Sequence, residues 1–525
     1  MVVALLLTAC DASTDVRSTG AAVATGSSTP PDTKAPGTTT APPTTDPTGT
    51  TTALPTTDPT RTTDAPGTTR PDQPAPKLNW RSCESDLQCS TLAAPLDWSD
   101  PAAGTIELPL IRTVATQPQQ RIGSLLVNPG GPGFGGAYLA EGATGIFSTS
   151  LLEHFDIVAW DPRGTGRSQP AVDCIDTYDQ YFGLDVTPND AAAQQALEDA
   201  AKKLDGACDQ KNGSLLAHIS TQDTARDMDL IRRALGEDKI SYFGFSYGSE
   251  LGSVWATMFP GTVRAAVLDG AADPNADAMQ GAIDQASGFE IALGAFLQDC
   301  KGKCAFAQGG DPGAAFDKIM ADIDANAYPT DQGRPPLNSG IAYSAVIEAL
   351  YSQSLWSELD DALDQARQGN GSNLLALYDE YYQRHSDGSY GNELEAFLAI
   401  SCLDDRGPAT VADVDSYNAQ IEAVAPRIAP GFEHGYSCVY WPVPSVPKLQ
   451  VTGRGAGAIV VIGTTNDPAT PYTSSLNMAK TLEGGRFIKV VGNGHTGYSK
   501  SPCAQDLVDK YLVDLQAPPA NATCD

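Results

Sequence analysis

The sequence predicts an α/β fold: a mostly parallel sheet covered by helices, with a large helical lid inserted before the last two strands. Three observations carry that expectation. Short apolar runs at 122–127, 155–160, 239–243 and 265–269 alternate with helical periodicity at 189–205 and 221–235. Such runs read as strands buried on both faces. From about 275 to 450 the periodic stretches are all helical, at 277–299, 313–325, 341–367, 372–383 and 391–404. Strands then resume at 458–463 and 486–491, and a helix over 503–515 follows. Ahead of these, 105–112 reads as an edge strand, because its Pro109 lacks the N–H a central ladder needs.

The chain has 525 residues, enough for more than one domain, and a formal net charge of −31. That charge repels phosphate backbones and anionic lipid, so nucleic-acid binding is excluded as a function. It fits solubility in an exposed compartment. Residues 1–10 read as a short apolar export segment whose end, Leu7-Thr8-Ala9-Cys10, has the form of a bacterial lipobox, though a basic n-region is missing. The expected location is therefore extracellular or on the cell surface, with membrane contact only through a lipid on Cys10. Plain secretion is the alternative.

Residues 11–77 are rich in Thr, Pro, Asp and Gly, and Pro43-Thr44-Thr45-Asp46-Pro47-Thr48 recurs at 55–60. A segment so poor in large apolar residues buries no core and is expected to be a disordered tether. The body then divides into a first core part at 78–274, the helical lid at 275–450 and a second core part at 451–525. Of the 11 cysteines, those other than Cys10 form an even set clustered in sequence, which suggests nearest-neighbour disulfides in an exported chain. Zinc-ligand spacing is missing, so no metal is expected.

The chemistry centres on Gly244-Phe245-Ser246-Tyr247-Gly248, which follows the strand 239–243 and leads into a helix. Strand, sharp turn and helix are the context of a nucleophile elbow, which lifts the Ser246 hydroxyl out at the carboxyl edge of the sheet. A serine nucleophile needs a base, and the base an orienting acid. There are 5 histidines, and His495, in a glycine-flanked loop after the last strand, reaches that same edge. Asp467 follows the preceding strand in Thr464-Thr465-Asn466-Asp467-Pro468. Oxyanion donors are expected from the Tyr247 N–H and from Gly130 or Gly131, in the glycine-rich loop after 122–127. The loop Asp161-Pro162-Arg163-Gly164-Thr165-Gly166-Arg167-Ser168 has no nucleotide-binding arrangement.

The order Ser246, Asp467, His495 is that of the α/β-hydrolases. Together with Asn128-Pro129-Gly130-Gly131-Pro132-Gly133, the 161–168 loop, 399–404 and Tyr440-Trp441-Pro442, these residues resemble the proline iminopeptidase and tripeptidyl aminopeptidase family of exported actinobacterial enzymes. The resemblance covers about 78–525. It implies an α/β-hydrolase fold and a serine exopeptidase acting on a peptide with a free N-terminus, with no cofactor. Asn128 where single-residue iminopeptidases carry His favours the tripeptidyl side. An aminopeptidase must hold a substrate ammonium, for which Asp404, Asp405 and Glu250 are the expected carboxylates. A carboxylesterase or amidase would use the same triad without that acid, and a non-catalytic surface binding protein would dispense with the triad.

Overall fold

The computed structural model describes residues 76–83 and 86–525; the export segment, Cys10 and nearly all of the expected tether lie outside the described residues. The strands are β1 (Arg81–Ser82), β2 (Leu87–Pro95), β3 (Thr105–Thr113), β4 (Gly123–Asn128), β5 (Phe155–Trp160), β6 (Ile240–Phe245), β7 (Val263–Asp269), β8 (Ile459–Asn466), β9 (Gly485–Asn493) and β10 (Asn521–Cys524). They form one sheet in the order β1-β2-β3-β5-β4-β6-β7-β8-β9-β10. The first three pairings in that order are antiparallel and all the others parallel.

Strand alternation builds two apolar layers. Leu126, Val158, Tyr242, Leu268 and Val461 face one way and pack with Met228, Ile231 and Trp255 of helices Thr221–Leu235 and Tyr247–Met258. Leu125, Ile157, Phe243, Val267 and Val460 face the other way, against Val508, Tyr511 and Leu512 of helix Pro502–Asp514. Every residue of β4, β5 and β6 is buried, which is why these strands read as continuous apolar runs.

Three expectations need correction. The strand with Pro109 is not at the sheet edge, since β3 lies between β2 and β5. Its pairing with β5 begins only at Leu110, so Pro109 sits just outside that ladder. The helical segment precedes three strands rather than two, because the short β10 adds in parallel to β9. The single helix expected over 341–367 is two, Ser339–Leu350 and Trp356–Arg367, joined by a 3₁₀ turn at Gln353–Leu355.

Between β7 and β8 the chain also forms helices Ala278–Asp299, Pro312–Ala325, Ser372–Tyr381 and Glu393–Asp404. Local caps fix several starts: the Asp277 side chain accepts from the Gln280 N–H, and the Asn338 side chain from the Ile341 N–H. Disulfides join Cys83 to Cys89, Cys174 to Cys208, Cys300 to Cys304, Cys402 to Cys438 and Cys503 to Cys524. Each pairs sequence neighbours among the cysteines, as their clustering suggests.

Candidate active site

β6 ends in a turn so tight that Ser246 takes φ 55° and ψ −126°, a conformation side chains rarely adopt. The flanking glycines are required by contact rather than by flexibility. A Cβ on Gly244 would lie 2.2 Å from the Gly248 carbonyl oxygen, and one on Gly248 would lie 2.8 Å from that of Asn128. The turn is held from below by Ser246 N–H donating to the Asp269 carbonyl (2.8 Å) and by the Tyr242 hydroxyl donating to the Gly248 carbonyl (2.7 Å). Ser246 thus stands at the N-terminus of helix Tyr247–Met258, whose free N–H groups favour negative charge beside it.

The loops after β8 and β9 bring Asp467 and His495 together. His495 Nδ1 lies 2.8 Å and 3.0 Å from the two carboxylate oxygens of Asp467, and both residues are 2% exposed. Because a carboxylate accepts, that nitrogen carries the proton and Nε2 is left to accept. Asp467 is fixed in turn by the N–H groups of Ala469 (3.1 Å) and Thr470 (2.9 Å) on one oxygen and Thr496 (3.1 Å) on the other. Thr470 Oγ1 lies 3.3 Å from the same ring nitrogen. His495 Nε2 is buried with no hydrogen-bond partner, so its bond to Ser246 Oγ is not made in this structure.

His495 is braced on its backbone as well. Its N–H donates to the Tyr351 carbonyl (2.9 Å), and its own carbonyl accepts from Lys500 Nζ (2.6 Å). The Tyr351 ring stands edge-on to the imidazole with centroids 5.9 Å apart. Asp269, at the end of β7, accepts from the Gly497 and Tyr498 N–H groups at 2.8 Å each and so pins the turn after His495. Burial pushes its carboxyl up to about 6, against the pull of those two N–H groups. Sequence reading missed Asp269, Tyr351 and Lys500; only the position of Asp269 at a strand end offered a signal.

The glycine-rich loop after β4 packs directly on the elbow. Gly130 has φ 104°, and a Cβ there would lie 2.6 Å from the Phe245 carbonyl oxygen and 2.8 Å from Ser246 Cβ. The Gly130 N–H donates to Asn128 Oδ1 at 3.0 Å, which removes it as an oxyanion donor. Gly131, which lines the same cavity as Ser246 and Tyr247, remains.

That cavity, of about 190 Å³, is walled by Gly131, Pro132, Ser246 and Tyr247 on the sheet side and by Ala278, Gln285, Phe397 and Ser401 from the helical segment. Glu250, Asp404 and Asp405 line it too, with Lys448 as the cation among its lining residues. The three carboxylates differ in their partners. Asp405 lies 3.6 Å from Lys448 Nζ and accepts from the Ala278 N–H at 3.1 Å. Asp404 accepts from the Thr221 N–H (2.9 Å) and the Thr221 hydroxyl (2.5 Å). Burial pushes Asp404 up to about 8, opposed by Thr221 and reinforced by Glu250. Glu250 is also raised by burial, with Lys448 pulling the other way.

A nucleophile elbow, a buried carboxylate–imidazole pair and a donor loop on one sheet edge define a serine hydrolase. The model of the α/beta hydrolase fold family matches residues 123–303, and that of the TAP-like protein family matches 426–524. Serine protease Hip1 of Mycobacterium tuberculosis is 37% identical over 479 residues, covering 85% of this chain and 91% of that one. Carboxylesterase B of the same species is 36% identical over 475 residues, covering 86% and 90%. Tripeptidyl aminopeptidase of Streptomyces lividans is 28% identical over 469 residues, covering 85% and 86%. The chain belongs to this TAP-like peptidase family of the α/β-hydrolases and is a hydrolase of the serine peptidase kind.

Proposed function

We propose that the protein is an exported serine exopeptidase, tripeptidyl aminopeptidase-like, that cleaves peptides from a free N-terminus. One observation carries the exopeptidase reading: Glu250, Asp404 and Asp405 line the same cavity as Ser246. A cavity for a neutral acyl group has no use for three carboxylates around one lysine, whereas a substrate ammonium supplies the cation they lack. Asp405 already has Lys448, so Glu250 and Asp404 are the carboxylates left to receive it.

In the mechanism, substrate binding draws His495 Nε2 and Ser246 Oγ into hydrogen-bond contact. The imidazole takes the hydroxyl proton as Oγ attacks the scissile carbonyl, and Asp467 stabilises the imidazolium. The Tyr247 and Gly131 N–H groups hold the oxyanion. His495 then gives its proton to the leaving amine, and water releases the acyl group by the reverse sequence. The apolar segment at residues 1–10 and its lipobox-like Cys10 support a site of action outside the cell, on the outer face of the cytoplasmic membrane.

The resemblance to carboxylesterase B supports a second reading, an esterase or amidase with the same triad. The purified protein is incubated with Ala-Pro-Ala-, Pro- and N-acetyl-Ala-Pro-Ala-aminoarylamides and with p-nitrophenyl butyrate. Cleavage restricted to the free-amine tripeptide is the expected result. Ester turnover with every amide left intact moves the assignment to the esterase.

A further inference from the structure

Helix Thr221–Leu235 begins with Ser220 as its cap, whose side chain accepts from the Asp223 N–H. Thr221 is the first helical residue, so its own N–H has no acceptor within the helix. Asp404, the last residue of helix Glu393–Asp404, supplies that acceptor at 2.9 Å. Its carboxylate also faces the positive end of helix Thr221–Leu235.

The Thr221 hydroxyl has a single proton, and it goes to Asp404 Oδ2 at 2.5 Å. The hydroxyl's lone pairs face the Tyr247 hydroxyl, with which it is hydrogen-bonded. With Asp404 ionised, Tyr247 donates to Thr221, which donates to Asp404. Thr221 is 3% exposed, so water does not substitute for either bond. Tyr247 is also the residue after the nucleophile, and its N–H is the oxyanion donor proposed above.

We propose that Thr221 and Tyr247 form a hydroxyl relay coupling capture of a substrate ammonium at Asp404 to the oxyanion side of the Ser246 site. Thr221 is then a specificity-determining positioning residue. A bound ammonium keeps Asp404 ionised, so each hydroxyl in the chain points towards it and the first turn of helix Tyr247–Met258 is held in one arrangement. Without the ammonium, Asp404 shares its surroundings with Glu250 and takes up a proton more readily, and the relay loses its fixed direction. An N-acetylated peptide or a small ester lacks the group that sets it. The inference rests on the aminopeptidase reading and adds a cause for its selectivity.

The test uses the full chain as wild type, Thr221→Val, Thr221→Ser and Tyr247→Phe, with thermal melts to establish that each is folded. kcat and KM are measured for the free-amine and N-acetylated tripeptide arylamides and for p-nitrophenyl butyrate. Thr221→Val is expected to lower the ratio of free-amine peptide to ester turnover about tenfold or more, through kcat, as befits loss of a hydrogen bond to a charged group. Thr221→Ser keeps the wild-type ratio, and Tyr247→Phe lowers it in the same sense. A folded Thr221→Val that slows peptide and ester equally, or neither, overturns the relay while leaving the aminopeptidase reading intact. A wild type that cleaves acetylated and free peptides equally overturns that reading, and the relay with it.

Discussion

Replacing Asp467 by Asn changes one oxygen for an NH2 group and leaves the volume unchanged, so the structure itself fixes the outcome. The carboxylate accepts from three backbone N–H groups, Ala469 and Thr470 on Oδ1 and Thr496 on Oδ2, besides His495 Nδ1. An amide nitrogen at the Oδ1 position would face two donors, and at the Oδ2 position one. The second orientation is therefore preferred, and it aims an N–H at His495 Nδ1, 3.0 Å away. That orientation keeps an oxygen 2.8 Å from Nδ1, but it sets an N–H against the same nitrogen and removes the carboxylate charge, so the tautomer able to take the Ser246 proton is less populated and the imidazolium less stabilised. By analogy with the wrong-tautomer effect in serine proteases, kcat should fall about 10³–10⁴-fold, or ~4–5 kcal/mol of barrier. The remaining donor clash should also destabilise the fold by about 1–3 kcal/mol. Stopped assays with the free-amine tripeptide arylamide, with phosphonate labelling of Ser246 as a second readout, measure the loss. An Asp467→Asn enzyme within tenfold of wild type at neutral pH, with normal labelling, would refute the assignment of Asp467 as the orienting acid.

Gly130→Ala places a methyl 2.6 Å from the Phe245 carbonyl oxygen at φ 104°; activity should be abolished in a protein that circular dichroism shows to be folded. Arg163→Met strips Asp227 of its bidentate partner where both side chains are 0% exposed; thermal and denaturant melts should show a loss of about 3–5 kcal/mol, largely recovered when Asp227→Leu is added. Burial holds Asp404 well above an unfolded carboxylate, so the folded state keeps a proton that the unfolded state has released, and this group's penalty grows as pH rises from about 4 to about 8. Asp404→Asn should therefore melt higher than wild type by a margin that widens between pH 5 and pH 9, while losing selectivity for free-amine substrates. A margin independent of pH would count against a carboxyl buried in this way.

The strands were legible because buried parallel strands leave unbroken apolar runs, as at Phe155–Trp160, and the helical segment because its periodicity runs for many turns. What stayed hidden depends on contacts between distant parts of the chain. Helical periodicity persists through 351–355, yet the helix breaks there, where the Tyr351 carbonyl meets His495. β10 has four residues and forms only because β9 offers an unpaired edge. Asp269 and Asp467 both end strands, and nothing local says which one faces the imidazole. Among the carboxylates, sequence put Glu250 behind Asp404 and Asp405. Lys448 pairs with Asp405, which moves Glu250 ahead of Asp405 and leaves Asp404 in place. Arg163 drew attention as part of a glycine-rich loop, but its guanidinium is buried on Asp227 and on the carbonyls of Pro95, Leu96 and His218.

The bond from the His495 N–H to the Tyr351 carbonyl gives the helical segment a second job. A cover that merely shields a site can be trimmed or swung aside without disarming the machinery beneath it. Here the proposed general base shares a backbone bond with the cover, so a motion that carries the Tyr351 turn away also removes one of the bonds bracing the histidine. On the exopeptidase reading proposed above, substrates would then be chain ends thin enough to enter while the cover stays down.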